Sequence, residues 1–234
     1  KVPYPVVALV GYTNAGKSTL FNRLTGAEVM AKDMLFATLD PTMRAVTLRA
    51  GAGPLDVILS DTVGFISDLP TQLVAAFRAT LEEVLDADLV VHVRDISHPE
   101  TEGQARDVET ILDGLGLDPA IPRIELWNKL DLLTPDALET ARNLAARRDD
   151  VYLASATTGQ GLDTLLARID GELRDALTDA RLVLPFTAGR ARAWLHDSGA
   201  VTSEETRDDG VHLDLRWTDR QAASFAATFP DAAP

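Results

Sequence analysis

The sequence predicts an α/β fold, with a mostly parallel β-sheet that carries helices on both faces, followed by a small α+β domain. Two observations lead to this prediction. Apolar runs typical of buried strands alternate with segments of helical spacing from residue 6 to about residue 177. From about residue 181 short strands flank Asp208-Asp209-Gly210, which is a hairpin signal. We therefore expect two domains, residues 1–180 and residues 181–234.

The first domain contains apolar runs, several rich in β-branched residues, that we predict to be strands. They are Val6–Val10, Ala45–Leu48, Leu55–Ser60, Asp88–Arg94, Ile124–Trp127 and Val151–Ala154. Apolar residues at helical spacing predict helices over residues 18–24, 70–85, 102–115, 135–148 and 162–177. Residues 26–44 lack a clean period, and a loop of this length inside a compact domain is usually functional.

The second domain is predicted to be a small β-α-β-β-α unit. The expected order is strand 182–186, helix 188–196, strands 201–207 and 211–217, and helix 219–228. We interpret Trp194, Trp217 and Phe229 as the small core of this unit, rather than as a surface that stacks on nucleic-acid bases.

Composition narrows the class of protein. The formal net charge is −14, which argues against this chain alone wrapping a phosphate backbone. The chain has no cysteine, which excludes disulfides and thiolate metal sites and suits a reducing compartment. No apolar run approaches the roughly 18 residues of a membrane span, and no signal peptide is visible. Because the chain starts at Lys1 without an initiator Met, we expect it to be the C-terminal part of a longer polypeptide.

A phosphate-binding loop follows the first predicted strand. Its residues are Gly11, Tyr12, Thr13, Asn14, Ala15, Gly16, Lys17 and Ser18, followed by Thr19 in the first predicted helix. The strand–loop–helix context favours this interpretation over an incidental glycine-rich turn. Backbone N–H groups and the helix N-terminus favour phosphate here. Lys17 can reach the β- and γ-phosphates, and the Ser18 hydroxyl can ligate Mg²⁺.

Further motifs follow later strands, so they should meet at one edge of the sheet. Asp61-Thr62-Val63-Gly64 predicts an aspartate that holds Mg²⁺, usually through a water, and a Gly64 N–H that meets the γ-phosphate. The alternative for Asp61 is a turn cap. Asn128-Lys129-Leu130-Asp131 predicts guanine recognition, because a carboxylate can accept hydrogen bonds from both the N1–H and the 2-amino group of guanine. The alternative is an exposed polar turn.

Three remaining segments belong to the same expected site. Ser155-Ala156-Thr157 follows the next strand and would place a backbone N–H on the guanine carbonyl. Thr38 or Thr42 should complete the Mg²⁺ shell, in a loop that is a candidate order–disorder switch. Phe65 stands where many GTPases carry the glutamine that orients the attacking water, so either another group positions that water or hydrolysis waits for a partner. We interpret Phe65 as apolar and mobile.

These motifs together resemble the HflX GTPases. The resemblance rests on the phosphate loop with Thr19-Leu20-Phe21-Asn22, on Asp61-Thr62-Val63-Gly64-Phe65-Ile66, and on the loop Phe36-Ala37-Thr38-Leu39-Asp40-Pro41-Thr42. It implies a Ras-like G domain of the P-loop NTPase class and makes Thr38 the expected Mg²⁺ ligand. It also places Phe36, Ala37, Leu39 and Asp40 among the nucleotide-binding residues. Asn14 matches the asparagine through which some related GTPases recruit K⁺.

The resemblance further implies a cytoplasmic GTPase that binds the large (50S) ribosomal subunit and splits or rescues stalled ribosomes. Much of the rRNA contact would come from an N-terminal domain that this sequence lacks. We expect a monomer that needs Mg²⁺, with Lys17, Thr38 and Gly64 as its catalytic residues. Two alternatives stay open: a nucleotide-gated RNA- or ribosome-binding module in which hydrolysis is incidental, and another GTPase of this class that acts in rRNA or tRNA maturation.

Overall fold

The computed structural model describes residues 4–26, 42–51, 53–62, 64–65, 84–175 and 177–232. The chain divides into two units, one spanning Val6–Asp170 and one that combines Lys1–Pro5 with Gly171–Pro234. The domain boundary expected after residue 180 stays a prediction, and a strand of the second unit spans that position.

The first unit is built on a six-stranded sheet of order β2-β3-β1-β4-β5-β6. Neighbouring strands are parallel except for β2, which is antiparallel to β3, so the predicted mostly parallel sheet is confirmed. The central strands β1 and β4 are buried almost throughout, which explains their continuous apolar runs. The strands are β1 (Val6–Val10), β2 (Thr42–Leu48), β3 (Leu55–Asp61), β4 (Leu89–Asp95), β5 (Arg123–Asn128) and β6 (Val151–Leu153).

Helices alternate with strands along this unit, as the sequence predicts, and the last of them follows β6. They are α1 (Lys17–Thr25), α2 (Thr101–Gly114), the short 3₁₀ helix Leu130–Leu132, α3 (Pro135–Ala145) and α4 (Leu162–Asp175). The start of α3 is set locally, because the Thr134 side chain accepts a hydrogen bond from the Ala137 N–H and Pro135 takes a first-turn position. Of the helix predicted over residues 70–85, only Val84 and Leu85 lie among the described residues, and both are helical.

The second unit has a three-stranded antiparallel sheet of order β7-β9-β8. Its elements are β7 (Leu177–Leu184), α5 (Gly189–Asp197), β8 (Val201–Arg207), β9 (Gly210–Thr218) and α6 (Asp219–Thr228). Phe225 is fully buried and lies 5.7 Å from Trp217 and 5.6 Å from Trp194, between ring centroids. Phe229 packs against the same ring, so the predicted aromatic core is present.

Two segment predictions are wrong. We expected Leu177 on a helix, but α4 ends at Asp175 and Leu177 begins β7, because residues 177–184 pair with β9 along their whole length. We expected a loop to continue through Arg44, but β2 begins at Thr42, where it pairs with Asp61. In both cases pairing with another strand decides the structure, and the periodicity of the segment itself carries no record of that pairing.

A buried charged network lies between β4, β5 and the helices that follow them. Arg94, 5% exposed, forms an ion pair with the buried Glu125 and another with Glu102 at 2.6 Å. Glu125 also accepts hydrogen bonds from the Trp127 indole N–H at 2.6 Å and from Arg148 at 2.7 Å. Burial alone would raise the pKa of Glu125, but the Trp127 hydrogen bond and the two arginines together hold it below its ordinary value.

Removing the buried carboxylate should cost far more than removing the exposed one. Glu125→Ala leaves the Arg94 guanidinium buried without its main partner, which we expect to lower the free energy of unfolding by about 3–5 kcal/mol. Glu102, whose side chain is 70% exposed, binds the same arginine, and Glu102→Ala should cost no more than about 1 kcal/mol. Urea denaturation measures both changes. Equal losses in the two variants would contradict a stabilising role for the buried pair.

His92 lies in the middle of β4 and is 8% exposed. Burial lowers its pKa from 6.5 to about 4; the positive charges of Arg94 and Lys17 add to this effect and Glu125 opposes it. Between these two pH values the unfolded chain binds a proton at His92 that the folded chain does not bind. The sign is therefore fixed: stability falls as the pH drops from 6.5 towards 4.

The fall should be measurable as a difference between two chains. Across this pH range the wild-type chain should lose about 3 kcal/mol more than His92→Gln, since glutamine does not titrate. Urea denaturation at closely spaced pH values measures the two slopes, and the carboxylates shared by both chains cancel in the comparison. Parallel stability curves for the two chains would show that His92 is protonated equally in both states.

Candidate functional site

The phosphate loop connects β1 to α1, as the motif predicts, and two of its glycines are required by close contacts. A Cβ at Gly11 would lie 2.2 Å from the Val93 carbonyl oxygen, and φ at Gly11 is +151°. A Cβ at Gly16 would lie 2.2 Å from Nδ2 of Asn128, and φ there is +99°. Asn14 also has a positive φ, 61°, which asparagine tolerates better than most residues. These positions let the loop wrap tightly at the end of the sheet.

Lys17 is the buried cation of this loop. Its side chain is 6% exposed, and its Nζ donates to the carbonyl oxygens of Gly11 at 2.9 Å and Tyr12 at 3.0 Å. Burial lowers the pKa of Lys17 to about 8, and the Coulomb attraction of Asp61 works in the opposite direction. Lys17 thus sits inside the curve of the loop, where a bound phosphate would supply the opposite charge.

Asp61 ends β3 beside the first turn of α1. Its Oδ2 accepts a hydrogen bond from the Ser18 hydroxyl at 2.7 Å, and burial raises the pKa of this carboxyl. Within the described part of the chain, its buried Oδ1 has no hydrogen-bond partner. A carboxylate oxygen and a hydroxyl are ligands that Mg²⁺ accepts, and a cation would satisfy the unpaired oxygen. Ser18 and Asp61 therefore fit the predicted magnesium site.

Asn128 connects the phosphate loop to the loop after β6. Its Nδ2 donates to the Ala15 carbonyl at 2.8 Å, and its Oδ1 accepts from the Ala156 N–H at 2.9 Å. The side chain is 1% exposed, so both bonds are sheltered from water. The structure thus brings together two segments that the sequence expected to meet. Each is more than 20 residues from Asn128 along the chain.

The remaining residues of the predicted base site lie beside Asn128. Ser155 is fully buried and its hydroxyl donates to Oδ1 of Asp131. Lys129 has a positive φ of 68° and its Nζ lies 2.8 Å from Oδ2 of Asp95 at the end of β4. Thr157 follows Ala156 and is exposed. Asp131 is also exposed, so its carboxylate is available to a ligand at this edge of the sheet.

Phe65 is hydrogen-bonded through its backbone to the phosphate loop. It is fully buried, its carbonyl accepts from the Thr13 N–H at 2.8 Å, and its N–H donates to Gly11 at 3.1 Å. A Cβ at Gly64 would lie 2.8 Å from Thr13 and 3.1 Å from Nζ of Lys17. The Phe65 side chain, which we expected to be apolar and mobile, is thus apolar and buried. Thr62 is also buried, and its hydroxyl donates to the Leu9 carbonyl at 2.6 Å, which is a structural role.

Part of the predicted site lies outside the described residues. These predicted residues are Phe36, Ala37, Thr38, Leu39, Asp40 and Val63, so the choice of Thr38 as Mg²⁺ ligand stays a prediction. The alternative ligand, Thr42, is described and pairs with Asp61 across β2 and β3. Within the described part of the chain, no cluster of three or more His, Asp or Glu side chains could hold a metal unaided.

Sequence reasoning missed two residues at this edge. Asp95 could have been found, since it follows an apolar strand as Asp61 and Asn128 do. Arg23 in the last turn of α1 reaches the loop after β6, donating to the Thr157 carbonyl at 2.7 Å and the Thr158 carbonyl at 2.9 Å. No motif marks Arg23, because its partners are backbone atoms more than 130 residues away.

Comparison with known proteins identifies the family. Residues 6–129 match a family model described as "50S ribosome-binding GTPase", and residues 141–229 match one described as "HflX C-terminal domain". The chain belongs to the HflX family of GTPases. The predicted resemblance to the HflX GTPases and the predicted P-loop GTPase fold are thereby confirmed. No helix within the described ranges combines the length and the apolar character needed to cross a membrane.

Curated relatives agree with the HflX assignment. The chain is 46% identical to "GTPase HflX" of Magnetococcus marinus over 91% of this chain and 48% of that protein. It is 41% identical to "GTPase HflX" of Escherichia coli over 92% of this chain and 50% of that protein. The chain therefore spans about half the length of these HflX relatives.

A solved structure agrees with the fold. It is the crystal structure of a GTP-binding protein from Sulfolobus solfataricus in complex with GDP. The TM-score is 0.55 at 30% identity, over 72% of this chain and 52% of that one.

A methyl group at Gly16 should damage the site from within. Gly16→Ala must relieve both the contact with Asn128 and the unfavourable φ, so we expect GDP affinity to fall by at least about tenfold. Gly103→Ala is the matched control, because Gly103 lies inside α2 and its added methyl would meet nothing within 4 Å. Isothermal titration with GDP compares the two variants, and an unchanged affinity for Gly16→Ala would show that this contact does not matter.

Proposed function

We propose that this chain binds GTP with Mg²⁺ and hydrolyses it to GDP and phosphate. The observation that carries the proposal is the double hydrogen bond of Asn128, which joins the phosphate loop to the Ser155–Thr157 loop. A single ligand spanning these loops would place phosphates at one and a base at the other. The curated relatives that carry the GTPase name support the same activity.

The described residues have separate parts in this proposal. The Lys17 ammonium group contacts the β- and γ-phosphates, and the Gly64 N–H donates to the γ-phosphate. Ser18 and Asp61 would hold Mg²⁺, which would supply positive charge beside the phosphates during hydrolysis. Thr38 completes the metal shell when the γ-phosphate is present. The backbone N–H groups of the loop from Gly11 to Thr19 surround the remaining phosphate oxygens.

Guanine selectivity follows from the loops after β5 and β6. The Asp131 carboxylate accepts from the N1–H and 2-amino groups of guanine. The Ala156 N–H, which donates to Asn128 Oδ1 in this structure, is shared with the 6-oxo group when guanine binds. Adenine offers neither arrangement and would leave these groups unsatisfied, at a cost of about 1–3 kcal/mol. Lys129, held by Asp95, packs its stem along the plane of the base. A structural relative in complex with GDP supports the choice of guanine.

The partner in this proposal is the large ribosomal subunit. The matched family description names 50S ribosome binding, and the buried Phe65 cannot orient a water molecule as glutamine does. We therefore propose slow hydrolysis by the chain alone, stimulation by the 50S subunit, and a cytoplasmic role in splitting or rescuing stalled ribosomes. Much of the rRNA contact would come from the part of the relatives that this monomeric chain does not span.

K⁺ near Asn14 remains part of the proposal. The positive φ of Asn14 turns the loop at this residue. An asparagine oxygen there could act as one ligand of a monovalent cation beside the phosphates. The two alternatives, a binding module with incidental hydrolysis and a GTPase in rRNA or tRNA maturation, differ from this proposal in what the ribosome does to the rate.

One assay separates these readings. Phosphate release is measured from GTP and ATP, with and without 50S subunits, in buffers containing either K⁺ or Na⁺. We expect release from GTP only, stimulation by 50S subunits of up to about 10³–10⁵-fold, and faster release in K⁺. Equal rates with and without 50S subunits would remove the partner, and equal rates in Na⁺ and K⁺ would remove the potassium site. Similar release from ATP would contradict guanine recognition.

A further inference from the structure

One arginine of α1 holds the loop that follows β6. Arg23 lies in the last turn of α1, and its two terminal nitrogens donate to consecutive carbonyls: Nη1 to Thr157 at 2.7 Å and Nη2 to Thr158 at 2.9 Å. A planar guanidinium suits such a pair, since its donors project in a fixed fork. Arg23 is separated from Thr157 by 134 positions in the sequence and from Thr158 by 135, so the contact exists only in the folded chain.

A glycine makes room for this contact. Gly159 has φ of +90°, and a Cβ there would lie 2.4 Å from Nη2 of Arg23. Its N–H also closes the turn by donating to the Ser155 carbonyl at 2.8 Å. The guanidinium thus lies directly against the backbone of the turn, in space that a side chain at position 159 would occupy.

The same turn is held on its other side by residues of the base site. The Ala156 N–H donates to Asn128 at 2.9 Å, and the Thr158 N–H donates to the Ser155 hydroxyl at 3.0 Å. The Asn128 contact holds the turn at Ala156, while Arg23 holds it at the next two residues. The turn after β6 is therefore bonded to the phosphate loop through Asn128 and to α1 through Arg23.

We propose that Arg23 is a positioning residue that sets the strength of recognition of the guanine 6-oxo group. The inference rests on the proposed function, in which the Ala156 N–H donates to that group. α1 begins at Lys17, in the phosphate loop, and its last turn carries the arginine that holds the base loop. One helix thus contacts both the phosphate end and the base end of the site.

The proposal predicts a selective loss of affinity. Without Arg23 the turn loses two hydrogen bonds at Thr157 and Thr158, and it is then held by Asn128 at Ala156 and by its own bonds to Ser155. A nucleotide that uses the Ala156 N–H should then bind more weakly, by about fivefold to tenfold. A nucleotide that lacks a 6-oxo group does not use it and should be unaffected.

The test measures the affinity of the chain for two nucleotides by isothermal titration. They are GDP and 2-aminopurine riboside 5′-diphosphate, which keeps the 2-amino group and lacks both the 6-oxo group and the N1–H, so the wild-type chain should bind it more weakly than GDP. The variants are Arg23→Ala and Arg23→Lys, with Arg142→Ala as matched control. Arg142 is an exposed arginine of α3, and its side chain has no hydrogen bond or ion pair with any residue that the structure describes. Thermal unfolding confirms that each variant is folded.

We expect Arg23→Ala to weaken GDP binding about fivefold to tenfold while changing the analogue by less than twofold. Arg23→Lys, which keeps one charged donor group, should show a smaller loss, and Arg142→Ala should match the wild type. Equal losses for both nucleotides would reduce Arg23 to a structural residue and overturn the proposal, as would wild-type GDP affinity in Arg23→Ala. A wild-type chain that binds both nucleotides equally would instead contradict the proposed role of Ala156 itself. If Arg23→Ala is unfolded, the comparison of Arg23→Lys with the wild type decides.

Discussion

The site depends on one buried amide. Asn128 is 1% exposed, and its side chain uses one donor on the phosphate loop and its acceptor on the loop after β6. A buried amide that loses a partner has no water to replace it, so either bond weakens if the other segment moves. The position of the base loop is therefore tied to that of the phosphate loop. Gly16 belongs to the same constraint, since only a residue without a Cβ lets Nδ2 approach Ala15.

The position of Asn128 in turn depends on the strand that carries it. β5 lies between β4 and β6, and Trp127, one residue before Asn128, packs against Ala141, Ala145 and Val151. Its indole is also held by Glu125 and by the Arg94 guanidinium, which lies 5.6 Å from the ring centroid. Because side chains alternate along a strand, Trp127 anchors the opposite face of β5 from the one on which Asn128 acts. The charged network thus supports the site from the far side of the sheet, while its own charges stay away from the phosphates.

Sequence reasoning predicted the parts of the site that follow strands and could not predict the parts that depend on long-range packing. Lys17, Asp61, Asn128 and Ser155 each follow an apolar run, so the parallel sheet alone brings them to one edge. Arg23 has backbone partners, which leave no mark in a sequence. Leu177 fits a helical period and still forms a strand, because pairing with Thr218 outweighs its spacing. Trp127 shows the same limit, since its role comes from its contacts with Glu125 and Arg94, which its residue type does not reveal.

The burial of Phe65 has a consequence for the proposed hydrolysis. Its backbone pairs with Tyr12 and hydrogen-bonds to Gly11 and Thr13, so the segment after β3 is fixed to the phosphate loop by main-chain contacts. Gly64, next to Phe65, lies close to Thr13 and Lys17, where a Cβ would meet both residues. Placing the γ-phosphate contact and orienting the attacking water are then separate tasks on this chain. In the proposed mechanism the first belongs to the backbone of Gly64. The second needs a polar group that Phe65 lacks, and a ribosomal partner that supplies or orders one would couple hydrolysis to binding without rebuilding the site.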